Sequence, residues 1–512
     1  MIVWLAWLAA LAVLLAAGSA LALWSYGRFA RRARGVPSKA LKPGVDGALD
    51  RLIAPLEAAH RGRSGAALMF DPLQAFDTRL RMAAMARRSL DLLFYIWYDD
   101  RTGRLLAQAL LQAADRGVRV RLLLDDVNVL GRDPTYLALD RHPNISVRLF
   151  NPIRTRDNAL RRGVELLLNL IRYNRRMHGK IWMADGRLAL VGGRNVGDVY
   201  FDAATDRRRN NDDCDLMLAG PVLRDVERCF DAHWNDGLAL PIASLWHKRR
   251  TSLRGFRKQL EREAREPATR AYLERVAEQR GTAALPLEGL RWGGQVRFIA
   301  DPPEKALGTG RAGWLPEALM PLLQGAESRV RIMTPYFVPG QNGMEALLSL
   351  AERGVKVEVV TNALAVADHI IVHGAYRWYR RRLVEAGLVL HEFAARKAGG
   401  AWPVTPRKML HGKAFIVDDR LGFVGSFNFD MRSAFLNTET GVVFDDPALI
   451  AELGARFDWV TAPEQSYRLT LEGRLMGWAR GAQERVLLEP DTAAPRRVLS
   501  FLIGHLPVHR LL

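Results

Sequence analysis

Cysteine is nearly absent. The 512-residue chain carries two, Cys214 and Cys229. They are too few for a cysteine-rich zinc site or a disulfide framework, and both read as ordinary buried thiols. Acid is also scarce: 55 Asp+Glu face 74 Lys+Arg, a formal net charge of +19. A surface this basic seeks polyanions, either nucleic acid or an anionic membrane. Two catalytic signatures are missing as well. There is no Walker A loop, and "GSFN" at Gly425 to Asn428 is not the Gly-x-Ser-x-Gly of a nucleophile elbow. Finally, no charged side chain occurs from Met1 through Gly27.

That uncharged start separates the two polyanions. "MIVWLAWLAALAVLLAAGSALALWSYG" has no polar face, and as a helix it would run roughly 40 Å, enough to cross a bilayer with some tilt. Trp4, Trp7, Trp24 and Tyr26 sit near its ends, where interfacial aromatics are favoured. Arg28, Arg31, Arg32, Arg34, Lys39 and Lys42 come next, before any acid, so by the positive-inside rule the chain beyond the helix stays cytoplasmic. The competing reading is a cleaved signal peptide, with Ala20-Leu21-Ala22 as the cleavage site. A basic n-region is missing, however, and the apolar run is long for that role.

The body of the chain is too long for one ordinary core. Its first half reads helix, strand, helix, strand: "LDLLFYIW" suits a buried strand, "GRLLAQALLQAADRG" an amphipathic helix stopped by Gly117, and "VRVRLLLDD" the next strand. The second half repeats this, with "NGMEALLSLAERG" stopped by Gly354 and then "VKVEVVTN". "AADRGVRVRLLLDD" and "LAERGVKVEVVTN" align around Arg-Gly-Val. A repeat more than 200 residues long excludes solenoids and propellers and points to a duplicated domain. The expected division is 1–27 membrane anchor, 28–65 basic linker and leading helix, 66–245 first domain, 246–287 charged helical connector, 288–465 second domain and 466–512 C-terminal tail. The expected fold is α/β, each domain a mixed sheet flanked by helices.

Each copy also carries one unusual segment. "HGKIWMADGRLALVGGRN" contains His178, Lys180, Asp185 and Asn195; "HGKAFIVDDRLGFVGSFN" contains His411, Lys413, Asp418 and Asn428. On a strand, residues two apart share a face, so each His stands beside a Lys. The glycines allow close approach of backbone to a ligand, and the Asn amide donates hydrogen bonds. Two His, two Lys and two Asn converging would trap a tetrahedral phosphate without a metal, because a Lys beside each His opposes a cation.

These segments resemble the phospholipase D superfamily, whose signature is His-x-Lys-x-x-x-x-Asp followed by Gly-Gly/Ser-x-Asn. "YIWYDD", "LVGGRNVGDVYFD", "VHGAYRWYRRRLVEAGLVLHEF" and "VGSFNFDMRSAFLNTETGVVF" further resemble bacterial cardiolipin synthases, the first-copy "GGRNVGDVYF" most like the C-type subgroup. The resemblance runs from about Phe76 to the C-terminus. It implies two tandem phospholipase-D-like domains behind a transmembrane helix. It also implies two-step displacement at phosphorus through a phosphohistidine, with His178 as nucleophile and His411 as acid/base. Lys180, Lys413, Asn195 and Asn428 would hold the phosphate oxygens. Asp185 and Asp418 complete the catalytic motifs, more as braces of their loops than as phosphate contacts. An acid backs each imidazole in this family; aligning Pro221 with Pro447 gives Asp213 and Glu439 that role, with Asp212 and Asp215 close by as rivals to Asp213. The first copy departs from the pattern by lacking the "NxDxRSxxLNxE" ending.

The implied activity is phosphatidyl transfer to phosphatidylglycerol at a bacterial inner membrane, with phosphatidylglycerol or phosphatidylethanolamine as donor. No metal or other cofactor is expected. The expected partners are these phospholipids and an anionic membrane, with nucleic acid not expected and an accessory protein left open. A phospholipid-hydrolysing phospholipase D and a related nuclease are the alternatives, the apolar N-terminus arguing against DNA. Arg377, Arg380, Arg381 and Arg382 read either as headgroup contacts or as a solvated helix face.

Overall fold

The structure is a computed structural model that describes residues 2–204, 210–246, 251–279, 285–310, 312–394, 408–473, 475–481 and 484–505. Residues 247–250 and 280–284 of the expected connector, and 506–512 of the expected tail, lie outside the described residues.

Local signals set the first helices. Asp71 precedes Pro72, and its carboxylate accepts the Gln74 amide, so a helix begins at Pro72 and runs to Met85. Asp100 caps Arg101–Asp115 in the same way. Gly117, at φ 92°, ends that helix, and Gly354, at φ 82°, ends its counterpart Gly340–Glu352. Both positions need the left-handed backbone that glycine adopts freely. Each turn feeds a strand, Arg119–Asp125 in the first copy and Lys356–Asn362 in the second.

The duplication extends to the order of strands. Among the described residues the first sheet has eight strands. Across it lie Gly65–Met69, Asp215–Ala219, Leu188–Gly192, Lys180–Ala184, Ser89–Phe94, Arg119–Asp125, Ile145–Phe150 and Ala239–Pro241. The second begins, in matching places, with Val296–Ala300, Thr440–Phe444, Leu421–Gly425, Ala414–Val417, Arg329–Met333, Lys356–Asn362, Val389–Phe393 and Ser466–Glu472. In each, three neighbouring strands are parallel (89–94, 119–125 and 145–150; 329–333, 356–362 and 389–393) and the other pairs are antiparallel.

Each sheet has an outer core under its own helices and an inner core shared with the other sheet. Leu90, Leu92 and Phe94 face the first outer core, whereas Leu93 faces inward with Ile181, Val191 and Leu216. From the second sheet Val360, Ile416, Val424 and Val442 enter the same inner cluster. The strand period of two thus divides each strand between two cores, and the inner one joins the domains.

Three segments sit differently from the expected division. Within the expected tail, Ser466–Glu472 pairs with Val389–Phe393, and Leu475–Arg480 and Glu484–Val486 extend the second sheet to ten strands among the described residues. Tyr467, Leu469 and Trp478 are buried there, an alternation present in "SYRLTLEGRLMGWAR". The connector helices Leu253–Ala264 and Pro267–Glu278 are charged, yet Phe256, Leu260, Tyr272 and Val276 belong to the first domain's outer core. The linker after the first helix is strapped to the domain, Ser38 N–H donating to Asn235 Oδ1 (3.0 Å) and Ala40 N–H to Asp231 Oδ2 (2.8 Å). The N-terminal helix itself spans Ile2–Ala33; its stretch from Trp4 is long and apolar enough to cross a membrane, and its apolar window is unburied.

Candidate active site

The two motif strands carry their histidines to one end of the sheets. The register sets Lys180 opposite Phe94 and Ala414 opposite Met333. His178, Lys180, His411 and Lys413 therefore stand at the C-terminal ends of the parallel strands, where open α/β sheets hold ligands. Asp125 ends its strand by accepting the Met177 amide (2.9 Å), and Asn362 exchanges two 2.9 Å hydrogen bonds with the Leu410 backbone. The residue before each histidine is thus fixed by the same position in each copy.

The halves then cross. His178 N–H donates to Thr438 O (2.8 Å), and His411 N–H donates to Asp212 O (2.7 Å). Each backbone link sets the next acid against the other domain's imidazole: His178 Nδ1 lies 2.8 Å from Glu439 Oε2, and His411 Nδ1 lies 2.5 Å from Asp213 Oδ2. Neither domain holds a complete histidine–carboxylate pair. An ionised carboxylate at Nδ1 fixes the tautomer and leaves Nε2 with its lone pair. Asp213's rivals are otherwise engaged: Asp212 pairs with Arg456, and Asp215 with Arg79 (2.8 Å) and Arg194 (3.0 Å).

All six groups are buried. Burial, opposed by Glu439, lowers His178 to about 4, and burial with the Lys413 charge lowers His411 below its usual range. Burial also brings Lys180 to about 7 and Lys413 to about 8. Burial alone would raise the acids. The histidine contacts and the lysine charges outweigh it, holding Glu439 at about 2 and Asp213 well below the usual carboxylate range. Near neutral pH the site therefore holds a neutral His178 imidazole, ionised carboxylates and lysines poised to charge against an anion. Each ammonium donates to the carbonyl of the histidine two residues before it.

Asn195 and Asn428 are buried beside these groups. Asn195 Oδ1 accepts the Ile96 amide (3.1 Å), and its Nδ2 donates to Tyr200 O–H (3.1 Å). Among the described residues Asn428 Oδ1 has no hydrogen-bond partner. Two pairs of contributors escaped the sequence reading. The Tyr95 ring packs edge-on to His178 at 4.8 Å, and Tyr200 to His411 at 5.3 Å. Ser433 Oγ donates to Glu439 Oε1 (2.8 Å), while Ser426 Oγ donates to Oε2. Tyr95 and Tyr200 lay in segments singled out for their likeness, but a ring contact has no signature in spacing.

Asp185 and Asp418 are not at the site. Each lies at the far end of its motif strand, seven residues and roughly 20 Å along an extended chain from its histidine. Asp185 accepts the amides of Arg87 (2.9 Å), Arg88 (2.8 Å) and Ser89 (2.9 Å), and Asp418 those of Glu327 (2.9 Å), Ser328 (2.7 Å) and Arg329 (2.9 Å). Both brace the start of the neighbouring strand, the role expected of these two motif members in place of a phosphate contact. Arg380 is likewise unavailable to headgroups. It is buried, 2.6 Å from both Glu489 and Glu392 and 2.8 Å from His373. That histidine and the two acids have metal-like spacing, but the guanidinium fills the space between them. Arg381 pairs with Glu385 on the exposed face.

A family model described as cardiolipin synthase, phospholipase-D-like domain, matches residues 80–234 and again 319–461, one match per sheet. The chain belongs to this family. Cardiolipin synthase C of Escherichia coli strain K12 is 36% identical over 490 residues, covering 90% of this chain and 98% of that protein. An uncharacterized protein of Helicobacter pylori strain 26695 is 31% identical over 458 residues, covering 88% and 89%. Among solved structures, a phosphatidylserine synthase from Haemophilus influenzae Rd KW20 shares the fold at a TM-score of 0.58 and 16% identity, covering 90% of this chain and 99% of that one. A duplicated domain with a motif at each sheet's C-terminal edge is thus the architecture of this phospholipase-D-like family of enzymes.

Proposed function

We propose that this chain is a membrane-anchored cardiolipin synthase of a bacterial inner membrane, its catalytic body cytoplasmic and its two domains built on 66–245 and 288–465. The observation that carries the reading is the crossed pair of histidine–carboxylate dyads beside two buried lysines, in a chain of this family. His178 Nε2 attacks the phosphorus of a donor phospholipid, a P–N bond forms and the P–O bond to the headgroup alcohol breaks. His411 enters this step protonated at Nε2, its positive charge held by Asp213 at Nδ1, and gives that proton to the departing alcohol. A hydroxyl of the glycerol headgroup of phosphatidylglycerol then gives its proton to His411 and attacks phosphorus; the P–N bond breaks and cardiolipin leaves. Lys180, Lys413, Asn195 and Asn428 offset charge that grows on the non-bridging oxygens. Glu439 and Asp213 keep each imidazole in the productive tautomer. The donor is phosphatidylglycerol or phosphatidylethanolamine, which differ only in the alcohol released.

The test is mass spectrometry of lipids after mixing purified protein with phosphatidylglycerol vesicles, with and without phosphatidylethanolamine. Cardiolipin from wild type, and none from His178→Ala or His411→Ala, is the expected result. Dependence on phosphatidylethanolamine identifies the donor. Phosphatidic acid without cardiolipin overturns the synthase in favour of a hydrolase.

A further inference from the structure

The segment just before His178 has an inside-out helix. Ala159–Leu168 contains no buried residue, and one stripe of its apolar side chains is exposed. Leu160 is 80% exposed, Val164 51%, Leu167 62% and Ile171, in the short helix Leu170–Tyr173, 82%. Their spacing of four, three and four residues makes one stripe. The acid of the helix faces the protein instead: Glu165 accepts the amides of Arg154 and Thr155 (both 2.9 Å) and the Tyr173 hydroxyl. A helix solvated by water would be arranged the other way round.

This helix touches the N-terminal helix at a telling height. Leu168 packs on Gly18 so closely that a Cβ there would lie 3.2 Å from its Cδ2. Further along, Arg154 donates to Ser25 Oγ (3.2 Å), and the Arg172 guanidinium lies 3.4 Å from the Tyr26 ring centre. Residues 4–17, the part of the span clear of these contacts, cover only about 20 Å at about 1.5 Å per residue. A hydrocarbon core is about 30 Å thick, so the span must remain in lipid to about Leu23. Leu168 is then level with the hydrocarbon rather than above it.

We propose that residues 159–173 form an interfacial segment that sinks its Leu160–Val164–Leu167–Ile171 stripe into the leaflet where the span emerges, with Arg154, Arg161 and Arg162 among its anionic headgroups. The occupant of this face is the bilayer itself. Five residues after Tyr173 the chain reaches His178, and Asn151 Nδ2 ties Arg172 O and Arg175 O into this stretch (both 2.9 Å). The segment therefore seats the catalytic mouth on the surface that supplies its lipid substrates. The inference rests on the N-terminal helix being a span, as the proposed function holds.

The experiment places an environment-sensitive fluorophore on Leu167→Cys in the full chain reconstituted into phosphatidylglycerol-containing vesicles, with quenchers carried on the lipid acyl chains. Trp7→Cys marks the span and exposed Lys258→Cys the aqueous body; wild type reports background labelling of the buried Cys214 and Cys229. Quenching at Leu167→Cys comparable to Trp7→Cys, with none at Lys258→Cys, is the expected result. Quenching at Trp7→Cys alone overturns this proposal and leaves the span intact. A blue-shifted but unquenched label at Leu167→Cys overturns it in favour of a protein partner. Quenching at neither site overturns both the span and the interfacial segment. In a second arm, Leu160→Glu with Leu167→Glu and Ile171→Glu is expected to slow turnover of vesicle lipid by about tenfold or more while sparing a short-chain soluble phosphatidylglycerol. Equal loss on both substrates overturns the proposal.

Discussion

The two halves of the site use the same motif but anchor their acids differently. In the first half the Gly-Gly pair places Gly193 against Asp213, where any Cβ would overlap the carboxylate. In the second half Ser426 occupies the matching place, and the longer Glu439 reaches past it to accept its hydroxyl together with that of Ser433. Glycine with Asp and serine with Glu are therefore two solutions to one geometric problem, the distance from backbone to the opposite histidine. Because the acids cross, the serine-braced Glu439 serves His178, and the glycine-accommodated Asp213 serves His411. One difference in the repeated motif is thus felt at the other domain's imidazole.

The crossing is broken most severely by removing charge from its acids. Glu439→Gln and Asp213→Asn should each lower kcat by about 10³–10⁴, as loss of an imidazole-orienting carboxylate does elsewhere. If the acids act across the interface, the Glu439→Gln with His178→Ala double variant should be no slower than His178→Ala alone. Next comes the motif difference itself. Gly193→Ala should displace Asp213 and cost about 10²-fold in kcat, whereas Ser426→Ala, which removes one hydrogen bond to a charged group, should cost about tenfold. Equal effects in steady-state kinetics would show that the two anchors are not alternatives.

A pH profile tests the charge state that both halves share. The lysines lose their protons as pH rises through about 7 and 8, whereas His178 takes one up only near 4. His411, the acid of the first step, also loses its proton as pH rises, so kcat/KM for the free enzyme should decline from the acid side of neutrality through about pH 8. A rise over that range would contradict that assignment. The smallest effect on chemistry belongs to the braces. Asp185→Ala leaves three backbone amides without their acceptor and should cost about 2–3 kcal/mol of stability in denaturant unfolding, with kcat per folded molecule unchanged. Burial would raise Asp418, but the amides of Arg329, Glu327 and Ser328 hold it at about 2. Its contribution is present above the usual carboxylate range and is lost as pH falls through that range toward 2.

Much of this was legible from residue order. The duplicated helix and strand run, the glycines that end helices at Gly117 and Gly354 and the apolar N-terminal helix come from period and turn chemistry; the acids Asp213 and Glu439 came from the family resemblance, with alignment of one half on the other giving their positions. The strands after Ser466 were legible too, in the alternation of Tyr467 and Leu469, but were hidden by their position after the repeat. Asp185 and Asp418 were expected as braces, and they sit as braces, because proximity in a motif is not proximity in space: a strand carries its two ends apart. Residue order alone was enough for the fold and the family, and it named the side chains that the structure brings together, because these depend on local patterns and on similarity along the chain. It took the packed molecule to show that each histidine takes its acid from the other domain, that Tyr95 and Tyr200 wall the site, and that Arg380 is spent on Glu392 and Glu489. Those facts depend on how two sheets pack through one shared core, and contacts between residues more than 190 positions apart leave no periodicity to read.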